Sequence, residues 1–515
     1  MRRYSCLMIL PVIWLLAVTP IATADVKLPA LIGNNMVLQR DMEIPIWGKA
    51  DAGEKVTVTL GDQRASTKTD NQGKWMVKLK PLKAGGPLEM TVAGKNMLEL
   101  KNILVGDVWI CSGQSNMNFR VKNSNNAEQE ISAANYPKIR LFGVKTAAAE
   151  NPQDDVAGQW DACKPETAAD FSAVGYFFGR EMHKALDVPI GLIRSAVGGT
   201  PAEAWTGMPT LKSNPAFKPI LERWQEKMAT YPTRAKRYEK KLTDWKKEVI
   251  KAKAEGKPEP PRPSEPVGPR HKNNPAVLYN GMIFPLVPYA IKGAIWYQGE
   301  SNAGRAYEYR KLFPAMIQNW RRVWGQGDFP FLFVQLANFH EHKPKPTESS
   351  WAELREAQLM TLKLPNTGMA VAIDIGDADD IHPKNKQDVG RRLALAAQAI
   401  VHKRNVVYSG PIYDSMKIEG NKIRLRFKHT DGGLIAKGGD ELTGFAVAGE
   451  NHQFVWAEAK IEGDTITVWN DEVTNPAAVR YAWADNPECN LYNKAGLPAS
   501  PFRTDDWPRI VTNTK

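Results

Sequence analysis

The sequence predicts an α/β protein with a three-layer core and a mainly parallel sheet, flanked at both ends by β-sandwich-like modules. Two patterns lead to this fold class. Between residues 106 and 405, short apolar runs alternate with amphipathic helical stretches, as in parallel sheets whose strands are connected by helices. In residues 25–105 and 406–515, short alternating runs are separated by turn residues, a pattern typical of antiparallel sheets.

The two flanking modules show the same kind of pattern. In the N-terminal module no segment with helical spacing interrupts the alternation, and the predicted strands are Met42–Trp47, Lys55–Leu60, Trp75–Leu79 and Met90–Val92. In the C-terminal module the predicted strands are Lys422–Phe427, Phe445–Val447, Lys460–Ile461 and Thr465–Trp469. Both modules are therefore expected to consist mainly of strands.

The core is expected to alternate between strands and helices. Its strands are continuous apolar runs, which is typical of strands buried on both faces, and they cover Val108–Cys111, Ile139–Val144, Pro189–Ile193, Gly293–Tyr297, Phe331–Leu336 and Met369–Asp374. Its helices have apolar residues at helical spacing and cover Phe171–Leu186, Tyr307–Trp324, Trp351–Leu364 and Asn385–His402. A chain of 515 residues is too long for one hydrophobic core, so two or three domains are expected.

The first 24 residues have the features of a cleaved secretory signal peptide. Arg2 and Arg3 precede an apolar run that ends near Val18, and small residues follow up to Ala24. No later stretch is long and apolar enough to predict a membrane span. The sequence therefore predicts a protein exported to the periplasm or the extracellular space.

Export would permit disulfides, but the cysteines do not suggest a disulfide framework. The mature chain would keep Cys111, Cys163 and Cys489, an odd and sparse set. The sequence does not decide whether two of them form a disulfide, whereas Cys111, at the end of an apolar strand, is predicted to be free.

The formal net charge of +12 is concentrated in one segment of the core. Residues 212–257 hold 14 Lys or Arg against 6 Asp or Glu, within a predicted basic insert at about residues 207–272. Its apolar residues have helical spacing, Pro232 interrupts them, and a proline-rich stretch follows, which predicts a solvated helical hairpin. A surface for anionic glycans or membranes is the alternative, and the localised charge argues against nucleic acid as a partner.

The ends of the predicted core strands carry the residues that suggest chemistry. In parallel sheets, ligands bind at the carboxyl ends of the strands. Ser115 follows the first core strand in the segment Gly113-Gln114-Ser115-Asn116-Met117, where a sharp turn into a helix would expose its hydroxyl as a nucleophile. A helix-capping serine is the structural alternative for such a position.

The other strand ends supply what a nucleophilic serine requires. His382, after the last core strand, can act as a general base, and Asp379, three residues earlier, is predicted to orient its imidazole. The N–H groups of Ser115 and Gly199 and the side-chain amide of Gln298 are predicted to stabilise the oxyanion. Alternatives remain for each residue alone, since a glycine pair also suits a tight turn, aspartates suit a solvated loop, and a glutamine can cap a strand.

Further polar residues accompany these strand ends. Glu300 can brace a turn by pairing with Arg194 or Arg305, or it can support the site. Asn302 and Gln114 are candidates either to support the site or to contact the substrate. The two histidines of His340-Glu341-His342 could bind a metal ion, but no third ligand is evident and hydrolysis by a serine needs no metal. The sequence therefore favours a loop that lines the substrate site. Neither a metal nor a cofactor is expected.

The chain resembles the SGNH-type esterases of the sialate O-acetylesterase family. Three motifs carry the resemblance, namely Gly113–Met117, Trp296–Asn302 and the Asp379/His382 pair. The similarity extends to Asn34–Arg40, Phe171–Arg180 and Arg480–Trp483, so it covers essentially the mature chain apart from the basic insert. The resemblance implies a flavodoxin-like core and the removal of O-acetyl groups from an acetylated glycan by a Ser-His-Asp or Ser-His mechanism.

Three alternative functions fit part of this pattern. An α/β-hydrolase lipase would need a second glycine after the serine, where this chain has Met117, and an aspartate far from the histidine. A non-catalytic glycan-binding protein would not need serine, histidine and oxyanion donors together. An esterase acting on acetylated xylan, xyloglucan or pectin rather than on sialic acid stays open, as does the oligomeric state.

Overall fold

The N-terminal part of the protein consists of strands, as predicted. The computed structural model describes residues 25–507, so the predicted signal peptide lies outside the described residues. The strands are β1 (Val37–Gln39), β2 (Ile44–Lys49), β3 (Lys55–Leu60), β4 (Gln63–Lys68), β5 (Lys74–Leu79), β6 (Gly85–Ala93) and β7 (Met97–Gly113). Strand β4 was not predicted because its polar sequence has no buried face and therefore no apolar alternation.

Strand β7 runs through the predicted boundary between the N-terminal module and the core. Its first half pairs with β6 in antiparallel and with β1 in parallel register. From Asp107 onward it pairs with a strand of the core. One hydrophobic cluster extends from Val26 to Ala397, so the N-terminal strands and the core share a hydrophobic interior rather than forming separate ones.

The α/β core has the predicted alternation of strands and helices. Its further strands are β8 (Tyr136–Gly143), β9 (Trp160–Cys163), β10 (Ile190–Ala196), β11 (Gly293–Tyr297), β12 (Phe331–Gln335) and β13 (Thr367–Val371). They lie in the order β13-β12-β11-β7-β10-β8-β9. All neighbours are parallel except β8 and β9, so the carboxyl ends of six strands meet at one edge.

Nine α-helices lie within the described residues, and four of them match the predicted core helices closely. The α-helices are α1 (Ser115–Asn118), α2 (Ala127–Ser132), α3 (Pro165–Ala169), α4 (Ala173–Leu186), α5 (Met208–Ser213), α6 (Lys218–Ala254), α7 (Ala306–Trp324), α8 (Ser350–Met360) and α9 (Lys386–Ile400). Short 3₁₀ or π turns occur at Val121–Asn123, Ala202–Trp205, Pro215–Phe217, Tyr279–Ile283, Phe284–Leu286, Glu300–Arg305 and Thr361–Lys363. Helix α4 packs on α9, and α7 packs on α8.

The basic insert differs from the predicted helical hairpin. It contains one helix of 37 residues, α6, with Pro232 in its interior. Only Ile220 of this helix is buried, so the carbonyl left unpaired by the proline can bind water and the helix continues. The proline-rich segment returns along the helix without helical structure, held where Trp245 Nε1 donates to the Pro260 carbonyl at 2.8 Å.

The C-terminal part consists of strands around a second hydrophobic cluster, which extends from Ile423 to Phe502. The strands are β14 (Ile412–Glu419), β15 (Lys422–Lys428), β16 (Leu434–Ala436), β17 (Phe445–Ala448), β18 (Val455–Trp456), β19 (Glu458–Glu462), β20 (Thr465–Trp469), β21 (Ala478–Tyr481), β22 (Leu491–Asn493) and β23 (Phe502–Arg503). They pair in antiparallel register. The buried Arg355 of α8 ties this part to the core by donating to the carbonyls of Ala484 and Asp485.

All three cysteines of the described residues carry free thiols. Burial raises the pKa of Cys163 and of Cys489 to about 12, which keeps both thiols protonated and unreactive at neutral pH. Across residues 25–507 there is no helix with the length and apolar character needed to traverse a lipid bilayer.

Candidate active site

Ser115 lies at the carboxyl edge of the sheet, where β7 turns into α1. Gly113 has φ +137°, and a Cβ at this position would lie 2.1 Å from the Tyr297 carbonyl oxygen, so only glycine fits beside β11. The next residue, Gln114, donates its N–H to the same carbonyl at 3.0 Å. Ser115 then opens α1, where the N–H groups of the first turn have no partner within the helix and can bind an anion.

The predicted glycine turn lies next to this serine. A Cβ on Gly198 would be 3.3 Å from the Cβ of Ser115, and Gly199 has the left-handed φ of +68°. Lys272, at the end of the basic insert, donates to the Gly198 carbonyl at 2.5 Å. Because the C=O and N–H of a trans peptide point in opposite directions, this contact sets the direction of the Gly199 N–H.

His382 lies in the loop between β13 and α9, and its aspartate partner differs from the predicted one. Asp380 Oδ1 is 3.3 Å from His382 Nδ1 and accepts the His382 backbone N–H at 2.8 Å. Asp379 is exposed, and its backbone N–H donates to Asp377 Oδ1 at 2.9 Å. The structure thus corrects the pairing of Asp379 with His382. The three-residue offset assumed a local approach that this loop does not make, because the Asp377 carboxylate folds it into a turn.

The side chain of Asn116 connects the serine turn to the histidine loop. Its Nδ2 donates to Glu300 Oε1 at 2.6 Å and to the Ile381 carbonyl at 2.9 Å. Its Oδ1 accepts from Lys386 Nζ at 2.6 Å. Since a lysine only donates, Lys386 determines which way the amide faces. Sequence reasoning missed both Asn116 and Lys386 as site residues. The position of Asn116 directly after the nucleophile candidate was the available signal.

Lys386 is fully buried at the start of α9. Its Nζ lies 4.9 Å from the ring centre of Phe119 and 5.4 Å from that of Tyr297, so two aromatic faces surround the amine. Burial lowers the pKa of Lys386 to about 7, against the opposing effect of the carboxylates of Glu300 and Asp380. Its charge is therefore variable near neutral pH.

Glu300 supports the serine turn rather than pairing with Arg194 or Arg305. Burial raises the pKa of Glu300, while its contacts with Asn116 and Lys386 favour the ionised form. Its Oε2 is buried and has no hydrogen-bond partner among the described residues. Arg305 instead pairs with Glu203 at 2.8 Å.

Gln298 is not placed to donate to an oxyanion. Its side chain is completely buried, and both N–H bonds of its amide are used, toward the Thr200 carbonyl at 3.2 Å and Asn302 Oδ1 at 2.7 Å. Its Oε1 accepts from the Tyr309 hydroxyl at 2.9 Å. The predicted oxyanion role of Gln298 is therefore corrected to a bracing role. An amide has only two hydrogens, and neither remains for a ligand.

Asn302 and Gln114 are both buried behind the edge of the sheet. Asn302 accepts the N–H of Ala202 at 2.9 Å and donates to Glu203 Oε2 at 3.0 Å, which holds the loop that follows the glycine turn. Gln114 accepts the N–H of Ser301 at 3.4 Å. Both residues connect loops at the edge.

The histidine pair His340 and His342 follows β12 but lies beside the C-terminal strands. His340 contacts the rings of Phe339 and Trp351, with ring centres 4.0 and 5.8 Å away, the first pair tilted and the second edge-on. His342 Nδ1 lies 3.4 Å from the carbonyl oxygen of Asn486. Within residues 25–507, no group of three histidine, cysteine or carboxylate side chains is arranged to hold a metal ion.

The comparisons with known proteins agree on one family. A model of the carbohydrate esterase, sialic acid-specific acetylesterase family matches residues 105–238 and 274–399. The chain is 32% identical to the sialate O-acetylesterase of Rattus norvegicus over 92% of this chain and 94% of that protein. Identity to the Homo sapiens sialate O-acetylesterase is 31%, over 95% and 94% of the two chains.

A solved structure of a carbohydrate acetylesterase from Xanthomonas citri is also similar. It shares 38% identity and a TM-score of 0.81, and the alignment covers 94% of this chain and 100% of that one. The family match is interrupted at residues 239–273. That gap falls on the second half of α6 and the proline-rich return, so the family match leaves out this part of the basic insert.

The geometry of the histidine loop predicts different effects for two adjacent aspartates. Asp380→Asn should lower kcat for p-nitrophenyl acetate by about tenfold or more, because the imidazole loses its carboxylate partner. Asp379→Asn removes only an exposed charge and serves as the matched control, with turnover within about twofold of wild type. Equal melting temperatures would show that both variants are folded. A large loss in Asp379→Asn with none in Asp380→Asn would contradict this pairing.

The buried lysine predicts a pH-dependent contribution to stability. Below about pH 7 the folded and unfolded states both hold the Lys386 proton, whereas between about pH 7 and its ordinary pKa of 10.5 only the unfolded state holds it. The free energy of unfolding of wild type relative to Lys386→Met should therefore increase with pH above 7, by at most about 1.4 kcal/mol per pH unit. Urea unfolding at pH 6, 7, 8 and 9 measures this difference. A difference that stays constant over this range would refute the assignment.

Proposed function

Because the chain belongs to the sialic acid-specific acetylesterase family of carbohydrate esterases, we propose that it is a serine esterase of the SGNH type that removes O-acetyl groups from carbohydrates through an acyl-enzyme on Ser115. Its activity as a carboxylic ester hydrolase follows from the family. The roles of individual residues are inferred from the geometry of the site.

One observation carries the assignment of roles. Residues adjacent to Ser115 and His382 are hydrogen-bonded to each other, because the Asn116 amide donates to the Ile381 carbonyl at 2.9 Å. The ring of His382 also stacks on Phe119, with centres 6.4 Å apart, at the end of the helix that Ser115 opens. Ser115 and His382, from distant parts of the chain, thus lie at one edge of the sheet, which supports the proposal that they act as nucleophile and base.

In the acylation step, Ser115 Oγ attacks the carbonyl carbon of the acetyl ester while His382 Nε2 takes its proton. Asp380 beside Nδ1 stabilises the imidazolium that forms. The negative charge of the tetrahedral intermediate develops on the former carbonyl oxygen, which the N–H groups of Ser115 and Gly199 stabilise. Collapse breaks the bond to the sugar oxygen, and the imidazolium returns the proton to that oxygen as the sugar hydroxyl leaves.

In the deacylation step, water replaces the sugar hydroxyl. His382 takes a proton from the water, the resulting hydroxide attacks the acetyl carbonyl, and a second tetrahedral intermediate forms. Its collapse breaks the bond to Ser115 Oγ, which recovers its proton from His382. Acetic acid leaves, ionises in solution, and the enzyme returns to its starting state.

The proposed substrate class is an O-acetylated carbohydrate, either sialic acid or a plant polysaccharide. The side chains of His382 and Asp380 are 34% and 47% exposed, so the site is open enough for an acetyl group on a long chain. We also propose, from residues 1–24, that the protein is exported to meet such substrates. Detection of a mature protein beginning near Asp25 in the periplasm or medium would test that.

Ser115 is tested directly by substitution and by trapping the intermediate. Ser115→Ala should lower the hydrolysis of p-nitrophenyl acetate by about a thousandfold or more, since no other group replaces the nucleophile. Acid quenching of wild type during turnover should leave an acetyl group on the peptide that contains Ser115, detected by mass spectrometry. Retained activity in Ser115→Ala, or an acetyl group on another residue, would refute the mechanism.

A set of acetylated carbohydrates distinguishes sialic acid from plant polysaccharides as the substrate class. Acetate release is measured from O-acetylated sialic acid and from acetylated xylan, xyloglucan and pectin with wild type and Ser115→Ala. We expect release that depends on Ser115 from at least one of them. An enzyme that hydrolyses p-nitrophenyl acetate but none of these carbohydrates would contradict the proposed substrate class.

The contact of Lys272 with the glycine turn predicts that this lysine affects turnover. Lys272→Met keeps an unbranched side chain one atom shorter but removes the donor to the Gly198 carbonyl, so the Gly199 N–H loses its fixed direction. We expect kcat for p-nitrophenyl acetate to fall by about tenfold and KM to change little, since the oxyanion exists only during the reaction. Lys257→Met, an exposed lysine of the same insert that pairs with Glu255, is the control. Equal kcat in the two variants would contradict this role.

A further inference from the structure

The outer face of the small sheet formed by β2 and β5 carries apolar residues where polar ones are expected. Ile44 and Ile46 of β2 and Val77 and Leu79 of β5 face the interior. On the opposite face, Trp47 and Met76 lie directly across from each other. A solvated sheet face normally carries polar side chains, so a tryptophan and methionine pair needs a reason.

This outer face does not simply pack against the core. Phe284 approaches it from the core, but Met76 remains 43% exposed and Phe284 36% exposed. Between them is a cavity of about 580 Å³, within the size range of small-molecule sites. Trp47 and the largely buried Trp75 also border it, so the outward-facing aromatic surface of the cavity comes from Trp47 and Phe284. None of its lining residues belongs to the Ser115 site.

The aromatic walls are held in place by their surroundings. A Cβ on Gly48 would lie 2.2 Å from the Lys27 carbonyl oxygen and 2.9 Å from the Trp75 ring, so this glycine allows both groups to approach the strand closely. Trp47 is braced by an edge contact with Tyr289 of the core, with ring centres 6.2 Å apart. The cavity is therefore largely formed before any ligand arrives, which lowers the entropic cost of binding.

Charged groups form the rim and cancel one another. The lining includes three lysines and three aspartates. Asp154 of the core accepts from Lys49 at 2.8 Å and from Lys74 at 3.0 Å, and these two lysines lie opposite each other on the strands. The rim thus offers hydrogen-bonding groups without a net field, which favours a neutral polar ligand over an anionic or cationic one.

We propose that this cavity between β2, β5 and the segment around Phe284 is a second glycan-binding site, which holds a neutral polysaccharide away from the Ser115 site. A pyranose ring has a face of C–H groups that packs on the electron-rich face of an aromatic ring, and its hydroxyls at the edge match a rim of paired lysines and aspartates. The choice of a carbohydrate rests on the proposed function. Binding at this cavity does not depend on hydrolysis at Ser115. It would keep the enzyme on an acetylated chain while acetyl groups are removed.

Binding is measured with the full chain carrying Ser115→Ala, so that deacetylation does not alter the ligand. The probes are xylan, xyloglucan and glucomannan as neutral chains, with polygalacturonate and polysialic acid as acidic ones, in affinity electrophoresis and calorimetry. We expect at least one neutral chain to bind and the acidic chains to bind more weakly. Met76→Ala with Phe284→Ala should weaken the binding by about tenfold, the loss of roughly 1.4 kcal/mol.

Met97→Ala is the matched control, because Met97 is a 63% exposed methionine of the same module outside the cavity. It should bind the neutral chain as the parent does. With Ser115 restored, the double variant should keep its kcat/KM for p-nitrophenyl acetate and lose activity on the acetylated polymer. If the double variant is unstable, hydrogen exchange of the parent decides, since the neutral chain should protect β2, β5 and residues 284–288.

The proposal is overturned if no neutral chain binds, if the acidic chains bind more tightly than the neutral ones, if the double variant binds as tightly as Met97→Ala, or if protection appears elsewhere. This failure is distinct from failure of the proposed function. Loss of esterase activity on every ester, with neutral-chain binding intact, would refute the esterase assignment and leave the second site standing.

Discussion

Strand β7 joins the N-terminal strands to the α/β core and carries the serine turn at its end. It pairs with β1 and β6 in its first half and with β10 and β11 in its second, and it ends at the serine turn. In its middle, the fully buried Asp107 accepts two hydrogen bonds from Arg40, at 2.7 and 2.9 Å, with His402 and Lys292 also close to the carboxylate. Since a buried carboxylate is costly without such partners, this cluster fixes the N-terminal strands to the core. The position of Ser115 at the edge of the sheet follows from this one continuous strand.

Around the carboxyl end of β7, buried polar side chains position the serine turn and the loop that carries His382. The amide of Asn116 spans the serine turn, the loop before His382 and the start of α9, and Lys386 determines its orientation. Burying a charged lysine costs free energy, which an amide acceptor and two aromatic faces offset only in part, since the pKa of Lys386 still falls to about 7. The amide of Gln298 is likewise fully used, in holding neighbouring loops. An amide whose two hydrogens are both engaged supports the scaffold and has no donor left for the reaction.

Much of the fold could be predicted because alternating apolar residues identify strands buried on one face and continuous apolar runs identify strands buried on both. Lys55–Leu60 and Gly293–Tyr297 have the predicted bounds, and the core helices differ by a few residues. Predictions failed where local pattern is a poor guide. Pro232 did not break α6, because the exposed helix can leave one carbonyl to water, and the polar strand β4 has no apolar face to reveal it. The boundary predicted at residue 105 lies inside β7. One continuous strand belongs first to the N-terminal sheet and then to the core sheet, and its sequence shows no break between them.

By itself, the sequence determined the α/β class and the strand ends at which Ser115, the glycine turn and His382 occur, because apolar periodicity is a local property that burial imposes on the chain. Only the tertiary structure decided that Asp380 rather than Asp379 accompanies His382, that Lys386 contacts Asn116, and that Trp47 and Phe284 face one cavity. Those contacts join residues through loop turns and between distant segments. Their geometry depends on directions of side chains and peptide groups, which the spacing of residue types along a chain does not specify.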